Sequence, residues 1–267
     1  MGEGSAMDGP RLRMLGVGDG WPSLERNHSA FLYEFPDACV LVDCGESVSR
    51  GLRQAGVDWE AIDAVLLSHF HADHIGGFFM LVQGLWLKRR RRALTVYLPR
   101  DGVEPLRQVL WAACLFDDLL PFELRFVSLE QEVPFEIGPV RVTPFATGHL
   151  KSLSQLVPNE TQHRFEAFAF LIEHPSGRYV HSADVGGPRD LAPMFEQPVR
   201  HLLSELAHFD KQALIDFLRD VGRPNRLTLT HLTESLWLDR ESVLATMNEA
   251  LPGTEIQIPE DGSTVAL

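Results

Sequence analysis

The segment Ser68-His69-Phe70-His71-Ala72-Asp73-His74-Ile75-Gly76-Gly77 follows the aliphatic run Ala64-Val65-Leu66-Leu67, so three imidazoles and a carboxylate arrive together at the end of an apolar strand. Alternate residues of an extended backbone share a face, which lets His69 and His71 project the same way. Asp73 and His74 then fall at the turn into the next helix and reach a neighbouring point. This geometry suits two adjacent metal ions. Imidazoles and carboxylates without thiolates favour borderline divalent ions, zinc before manganese or iron.

Around this segment, short β-branched and aliphatic runs bounded by turn residues alternate with amphipathic stretches. Strands are expected at 31–35, 40–42, 64–67, 94–98, 140–145, 167–173, 179–182, 200–204 and 226–230, with a closing pair near 255–258 and 264–266. Helices are expected at 47–55, 77–87, 104–113, 211–221 and 240–250. The order is α/β throughout and predicts a two-layered sheet core covered by helices. No linker, low-complexity block or repeat divides residues 11–267, and a chain of 267 residues, 45% of them hydrophobic, can bury one large core. A single domain is therefore expected there, preceded by a flexible tail over the small, polar residues 1–10. The polar stretch 151–164, which contains Pro158, is the clearest long loop.

The 24 Lys and Arg against 37 Asp and Glu give a net charge of −13, which disfavours a general polyanion binder. Cys39, Cys44 and Cys114 show no CxxC spacing, so neither a disulfide framework nor a thiolate zinc site is suggested. The start has no basic segment leading into an apolar one, and the most apolar stretch, 76–87, is interrupted by Gln83 and too short for a bilayer. A cytoplasmic protein with no membrane span is the expectation.

His69, His71, Asp73 and His74 match the HxHxDH signature of the metallo-β-lactamase superfamily, and the resemblance extends along most of the chain. Leu15-Gly16-Val17-Gly18-Asp19-Gly20 is similar to the early glycine turn, and Leu41-Val42-Asp43-Cys44-Gly45 to the LxDxG strand end. Thr147-Gly148-His149, His181-Ser182-Ala183-Asp184 and Leu229-Thr230-His231 fall in the order of the remaining ligand positions. The resemblance implies a four-layer αβ/βα sandwich and a hydrolase with two divalent metal ions. One ion would take His69, His71 and His149, the other Asp73, His74 and His231, with Asp184 bridging. A water between two such ions loses its proton more readily, so a metal-bridging hydroxide is available near neutral pH. No serine or cysteine nucleophile is needed, and Cys44 is read as a small buried residue.

Within the superfamily the order most resembles ribonuclease Z and related phosphodiesterases, where a glutamate and a histidine assist proton transfer. Glu205 and His208, in Leu202-Leu203-Ser204-Glu205-Leu206-Ala207-His208-Phe209, stand in a similar region, although only two residues separate them here and the family has a longer insertion. Asp73, Glu205 and His208 are the candidate catalytic residues, and Asp43 is expected to support the ligands from behind. His28, His163, His174 and His181 are read as structural or solvent-facing, with His163 and Arg164 as weaker candidates for contact with an anionic substrate. Lys88-Arg89-Arg90-Arg91-Arg92 reads as a solvated, helix-ending basic run, with a local anion site as its alternative.

The function implied is hydrolysis of a phosphodiester, either an RNA 3' end or a small anionic molecule. The acidic charge and the lack of an evident glycine- and proline-rich arm count against tRNA processing and put a small phosphodiester on at least an equal footing with an RNA end. The alternative reaction is hydrolysis of a lactone, thioester or other carboxylic ester, since the same hydroxide attacks a carbonyl. A non-catalytic ligand-binding sensor is the alternative of another class. A homodimer is expected by analogy.

Overall fold

The computed structural model describes residues 9–157 and 163–267. The expected tail at 1–10 therefore lies, but for Gly9 and Pro10, outside the described residues, as does Pro158 of the expected long loop. In chain order the first half contributes β1 (Arg11–Gly16), β2 (Ala30–Glu34), β3 (Cys39–Val42), α1 (Val48–Gln54), β4 (Ala64–Leu66), α2 (Ala72–Ile75), α3 (Phe78–Leu87), β5 (Leu94–Leu98), α4 (Val103–Ala112) and β6 (Leu124–Ser128). The second half contributes β7 (Phe135–Ile137), β8 (Val140–Ala146), α5 (Lys151–Ser154), β9 (Phe168–His174), β10 (Gly177–His181), β11 (His201–Glu205), α6 (Lys211–Val221), β12 (Arg226–Thr230), α7 (Glu234–Leu238), α8 (Arg240–Ala250), β13 (Glu255–Gln257) and β14 (Thr264–Ala266).

These strands form two seven-stranded sheets, ordered β14-β1-β2-β3-β4-β5-β6 and β13-β12-β11-β10-β9-β8-β7. The period-two rule sorts the side chains of the first sheet. Met14, Phe31, Tyr33, Val40, Val42 and Leu66 join the core shared with the second sheet. Their neighbours Leu15, Leu32, Leu41, Val65 and Leu67 join a separate cluster with Val48 and Leu52 of α1, Phe78, Leu81 and Leu85 of α3, and Leu106 and Leu110 of α4. Both faces of β3 and β4 are buried, which is why their sequences read as unbroken aliphatic runs. On the second sheet Leu214 and Phe217 of α6 and Val243 and Met247 of α8 join the core. The result is the expected four-layer αβ/βα sandwich.

Strands β3 to β6 run parallel, as do β10 to β13, so their carboxyl ends gather on one edge where α/β proteins place their ligands. Two expectations need correction. The segments near 255–258 and 264–266 do not pair with each other: β13 extends β12 in the second sheet and β14 pairs with β1 in the first. The chain thus returns from one sheet to the other. Part of the expected long loop is helical, since Lys151–Ser154 forms a turn of helix. No helix among the described residues is long and apolar enough to cross a membrane.

Candidate metal centre

Asp43 directly follows β3 at φ 59°, a left-handed conformation that aspartate tolerates, and its carboxylate organises the segment leaving β4. Oδ1 accepts the Ser68 N–H at 2.8 Å, Oδ2 accepts the Ser68 hydroxyl at 2.9 Å, and Oδ2 lies 2.7 Å from His74 Nδ1. A carboxylate only accepts, so His74 Nδ1 is the donor. The Ser68 hydroxyl, with its O–H directed at Asp43, accepts from His69 Nδ1 at 3.0 Å. Both rings are thereby turned with Nε2 away from their supports. His69 Nε2, His74 Nε2 and Asp184 Oδ1 are buried and have no hydrogen-bond partner.

The expected ligand residues gather into two overlapping groups. His69, His71, His149 and Asp184 form one, and Asp73, His74, Asp184 and His231 the other, with the donor atoms of each group within 4.8 Å of one another. Asp184 divides its carboxylate between them. Oδ2 is 3.8 Å from His69 Nε2 and 3.6 Å from His149 Nε2, while Oδ1 is 3.3 Å from His74 Nε2 and 3.6 Å from His231 Nε2. Asp73 Oδ2 completes the second group at 3.3 Å from His74 Nε2 and 3.2 Å from His231 Nε2. Buried, unpartnered donors of this kind can hold two divalent cations that share one carboxylate.

Electrostatics point the same way. Burial by itself favours protonated acids, but the imidazoles of His231 and His74 more than offset it and hold Asp73 and Asp184 well below the usual carboxylate range. Burial pushes His69 well down and His149 down to about 4, keeping their lone pairs available. On His74 burial is outweighed by the Asp184 and Asp43 carboxylates, so this ring favours its charged form, and a metal cation beside those carboxylates would take the place of the Nε2 proton.

Backbone features fix the remaining positions. Ala183 at φ 45° and His231 at φ 50° are left-handed without being glycine, conformations that cost energy and cluster at functional turns. His231 N–H donates to Val17 O at 3.0 Å, tying the end of β12 to the turn after β1. Asp190 Oδ2 accepts the N–H of Gly148 at 2.7 Å and of Gly186 at 2.8 Å, clamping the loops that carry His149 and Asp184. Sequence reasoning missed Ser68 and Asp190. The first stands directly before the ligand segment, whereas nothing in its sequence context marks the second.

Glu205 and His208 meet beside this cluster. Glu205 accepts N–H bonds from Val185, Ala207 and His208 at 2.9, 3.0 and 3.0 Å, and each of its oxygens lies 3.0 Å from His208 Nδ1. The His208 ring packs between those of His149 and His231, with centroids 4.5 and 5.7 Å away. Burial lowers its affinity for a proton, and the Glu205 carboxylate raises it to a net increase.

Residues 10–212 match the family described as Anti-Pycsar protein Apyc1. The chain belongs to that family. The Apyc1 protein of Paenibacillus harenae is 29% identical over 185 residues, covering 67% of this chain and 69% of its own. Ribonuclease Z of Methanopyrus kandleri is 38% identical over 138 residues, covering 52% of this chain and 46% of its own. The chain spans about half the length of the ribonuclease Z relatives it matches. The metallo-β-lactamase fold protein YhfI of Bacillus subtilis superposes with a TM-score of 0.74 at 22% identity, over 97% of this chain and 100% of that one. The superfamily and its ribonuclease Z-like branch are those the residue order resembles, whereas that order does not single out the Apyc1 family.

Other residues of this Apyc1 family member take structural places. Arg90 corrects the picture of a solvated basic run, because it is buried and its guanidinium serves the carbonyls of Trp59, Ile62, Arg92 and Ala93 at 2.6 to 3.1 Å. Arg92 pairs with Asp63 at the start of β4. Ser68 at the far end is five residues on, roughly 16 Å along an extended strand, so the run lies at the opposite end of the sheet from the cluster. His163 and Arg164 both engage Asp101. His181 is buried against the Tyr33 hydroxyl at 3.0 Å, and His28 is buried beside Gly45. Cys44 is buried, and burial raises its thiol well above the usual value.

Proposed function

We propose that the protein is a binuclear metal-dependent hydrolase of phosphodiesters, with zinc as its preferred ion and a small phosphodiester as its substrate. The observation that carries this reading is the divided Asp184 carboxylate, which faces His69 and His149 through one oxygen and His74 and His231 through the other. His69, His71 and His149 would hold one ion, Asp73, His74 and His231 the second, with Asp184 between them. Two divalent ions, when bound, lower the proton affinity of a water and neutralise charge on a phosphoryl group. Asp43 and Ser68 keep Nδ1 of His74 and of His69 occupied, so that each ring presents Nε2. Glu205 holds His208 by Nδ1, leaving its other ring nitrogen to give a proton to a departing alkoxide. The ribonuclease Z relatives support a phosphodiester, and the net charge of −13, with the basic run remote from the cluster, supports a small one over a long RNA.

Metal analysis of the purified protein followed by parallel assays tests the proposal. Two zinc ions per chain and hydrolysis of an aryl phosphodiester are expected. Turnover of a lactone or thioester with none of the phosphodiester overturns it in favour of carboxylic ester hydrolysis.

A further inference from the structure

Three buried histidines of the two donor groups face the cluster through Nε2, and two of them are held from behind. His69 Nδ1 meets the Ser68 hydroxyl and His74 Nδ1 the Asp43 carboxylate. The third, His231, directs Nε2 at Asp73 Oδ2 and Asp184 Oδ1, yet its Nδ1 is buried with no hydrogen-bond partner. A neutral imidazole that offers one nitrogen to a cation carries its proton on the other, so an unanswered Nδ1 leaves a donor buried and the ring unsupported. The preceding residue shares the defect. Thr230, the last residue of β12, is 4% exposed, and its hydroxyl is also buried without a partner.

Both residues line one small cavity of about 10 Å³. One water molecule needs roughly 10–15 Å³ of such space, together with two to four polar partners. Glu205 lines the cavity too, and a carboxylate that already accepts from Val185, Ala207 and His208 still has lone pairs for another hydrogen. Ser182 and His181, which also line it, are committed elsewhere: the Ser182 hydroxyl donates to Ala183 O and accepts the Glu205 N–H, and His181 engages Tyr33. Two unanswered donors and one acceptor therefore surround a space of one water. We propose that this cavity binds a single water molecule that accepts from His231 Nδ1 and from the Thr230 hydroxyl and donates to Glu205, making Thr230 a positioning residue for the ion at Asp73, His74 and His231. The same water joins that ligand to the carboxylate holding His208. The positioning role rests on the binuclear reading above, whereas the water site rests on hydrogen bonding alone.

A high-resolution crystal structure of the protein reads the water site directly. One ordered water within hydrogen-bond distance of all three groups is expected, and a dry cavity overturns the proposal whether or not any variant folds. Thr230→Val keeps the shape of the side chain and removes the hydroxyl, whereas Thr230→Ser keeps the hydroxyl. Zinc affinities follow from competition with a chromophoric chelator, which separates the two ions. Thr230→Val is expected to weaken one ion about tenfold and leave the other unchanged, and Thr230→Ser to recover most of the loss. Equal weakening of both ions marks a general loss of packing and overturns the positioning role, as does unchanged binding in Thr230→Val. A water-filled cavity in a chain that takes up no zinc removes the binuclear reading and keeps the water site. A dry cavity in a chain that holds two ions does the reverse.

Discussion

Asp43 Oδ2 and His74 Nδ1 lie 2.7 Å apart with both residues buried, so a carboxylate that touches no other member of the two donor groups decides which nitrogen His74 presents to them. Asp43→Asn keeps the size and tolerates the left-handed backbone, but its amide has one accepting oxygen where the carboxylate uses two, and its NH2 group can only donate. Metal affinity is expected to fall about 10–100-fold, measured by competition with a chromophoric chelator. Unchanged affinity would show that the ring is oriented without this bond.

His208 separates proton delivery from metal holding. In His208→Ala, turnover of a dinucleotide, whose leaving group is an alkoxide, should fall roughly 10²–10⁴-fold with the metal content unchanged. An aryl phosphodiester, whose leaving group needs no proton, should be much less affected. Equal losses on both substrates would make His208 a packing residue.

The ligand segment was legible in the sequence because its spacing is local: His69, His71, Asp73 and His74 come from one strand end and the turn after it, and local periodicity governs both. His149, Asp184 and His231 were ordered through resemblance alone, since nothing local brings residues so far apart in sequence to one carboxylate. Strands with regular apolar content, such as β5 and β12, stand out. In β1 Arg11 and Arg13 alternate with Leu12 and Met14, their charges absorbed by Glu34 of β2, a cross-strand pairing no window along one strand reveals. Arg90 was misread for a related reason. Its run of like charges describes a surface, while the carbonyls that bury it come from residues about thirty positions earlier as well as from its own turn.

Phe70, between two of the histidines, sits on Gly102, where a Cβ would lie 1.6 Å from the ring. Gly102→Ala should therefore displace Phe70 and with it His69 and His71, lowering stability by about 1–3 kcal/mol in urea unfolding and weakening metal binding. Adding Phe70→Leu should recover part of both losses. If Gly102→Ala is as stable as the parent, the ring has room to move.

His201 gives a pH dependence remote from the metal centre. It is buried with Nε2 2.8 Å from the Thr228 hydroxyl, and burial lowers its pKa to about 3. The unfolded ring takes up a proton near pH 6.5 and the folded one does not, so the unfolded state binds more protons between those values. This contribution costs nothing above pH 6.5 and destabilises the fold progressively as pH falls towards 3, by up to about 1.4 kcal/mol per unit. His201→Gln should lose stability at pH 8 yet lose less than the parent between pH 6 and pH 5 in denaturant titrations. Identical slopes would place the acid sensitivity elsewhere.

The basic run 88–92 divides into two experiments. Lys88, Arg89 and Arg91 face solvent at the end of the sheet remote from the cluster, so replacing them with glutamine should leave kcat/KM and its salt dependence unchanged. Arg90 is different in kind, because its guanidinium serves carbonyl groups on both sides of β4's approach. Arg90→Met leaves those acceptors buried without donors and should lower stability by roughly 2–4 kcal/mol. Arg90→Lys should rescue little, since a single ammonium cannot span the positions that the planar fork reaches. A salt-dependent loss of turnover in the glutamine variant would instead place phosphate binding on this run and require the substrate to reach the opposite end of the sheet.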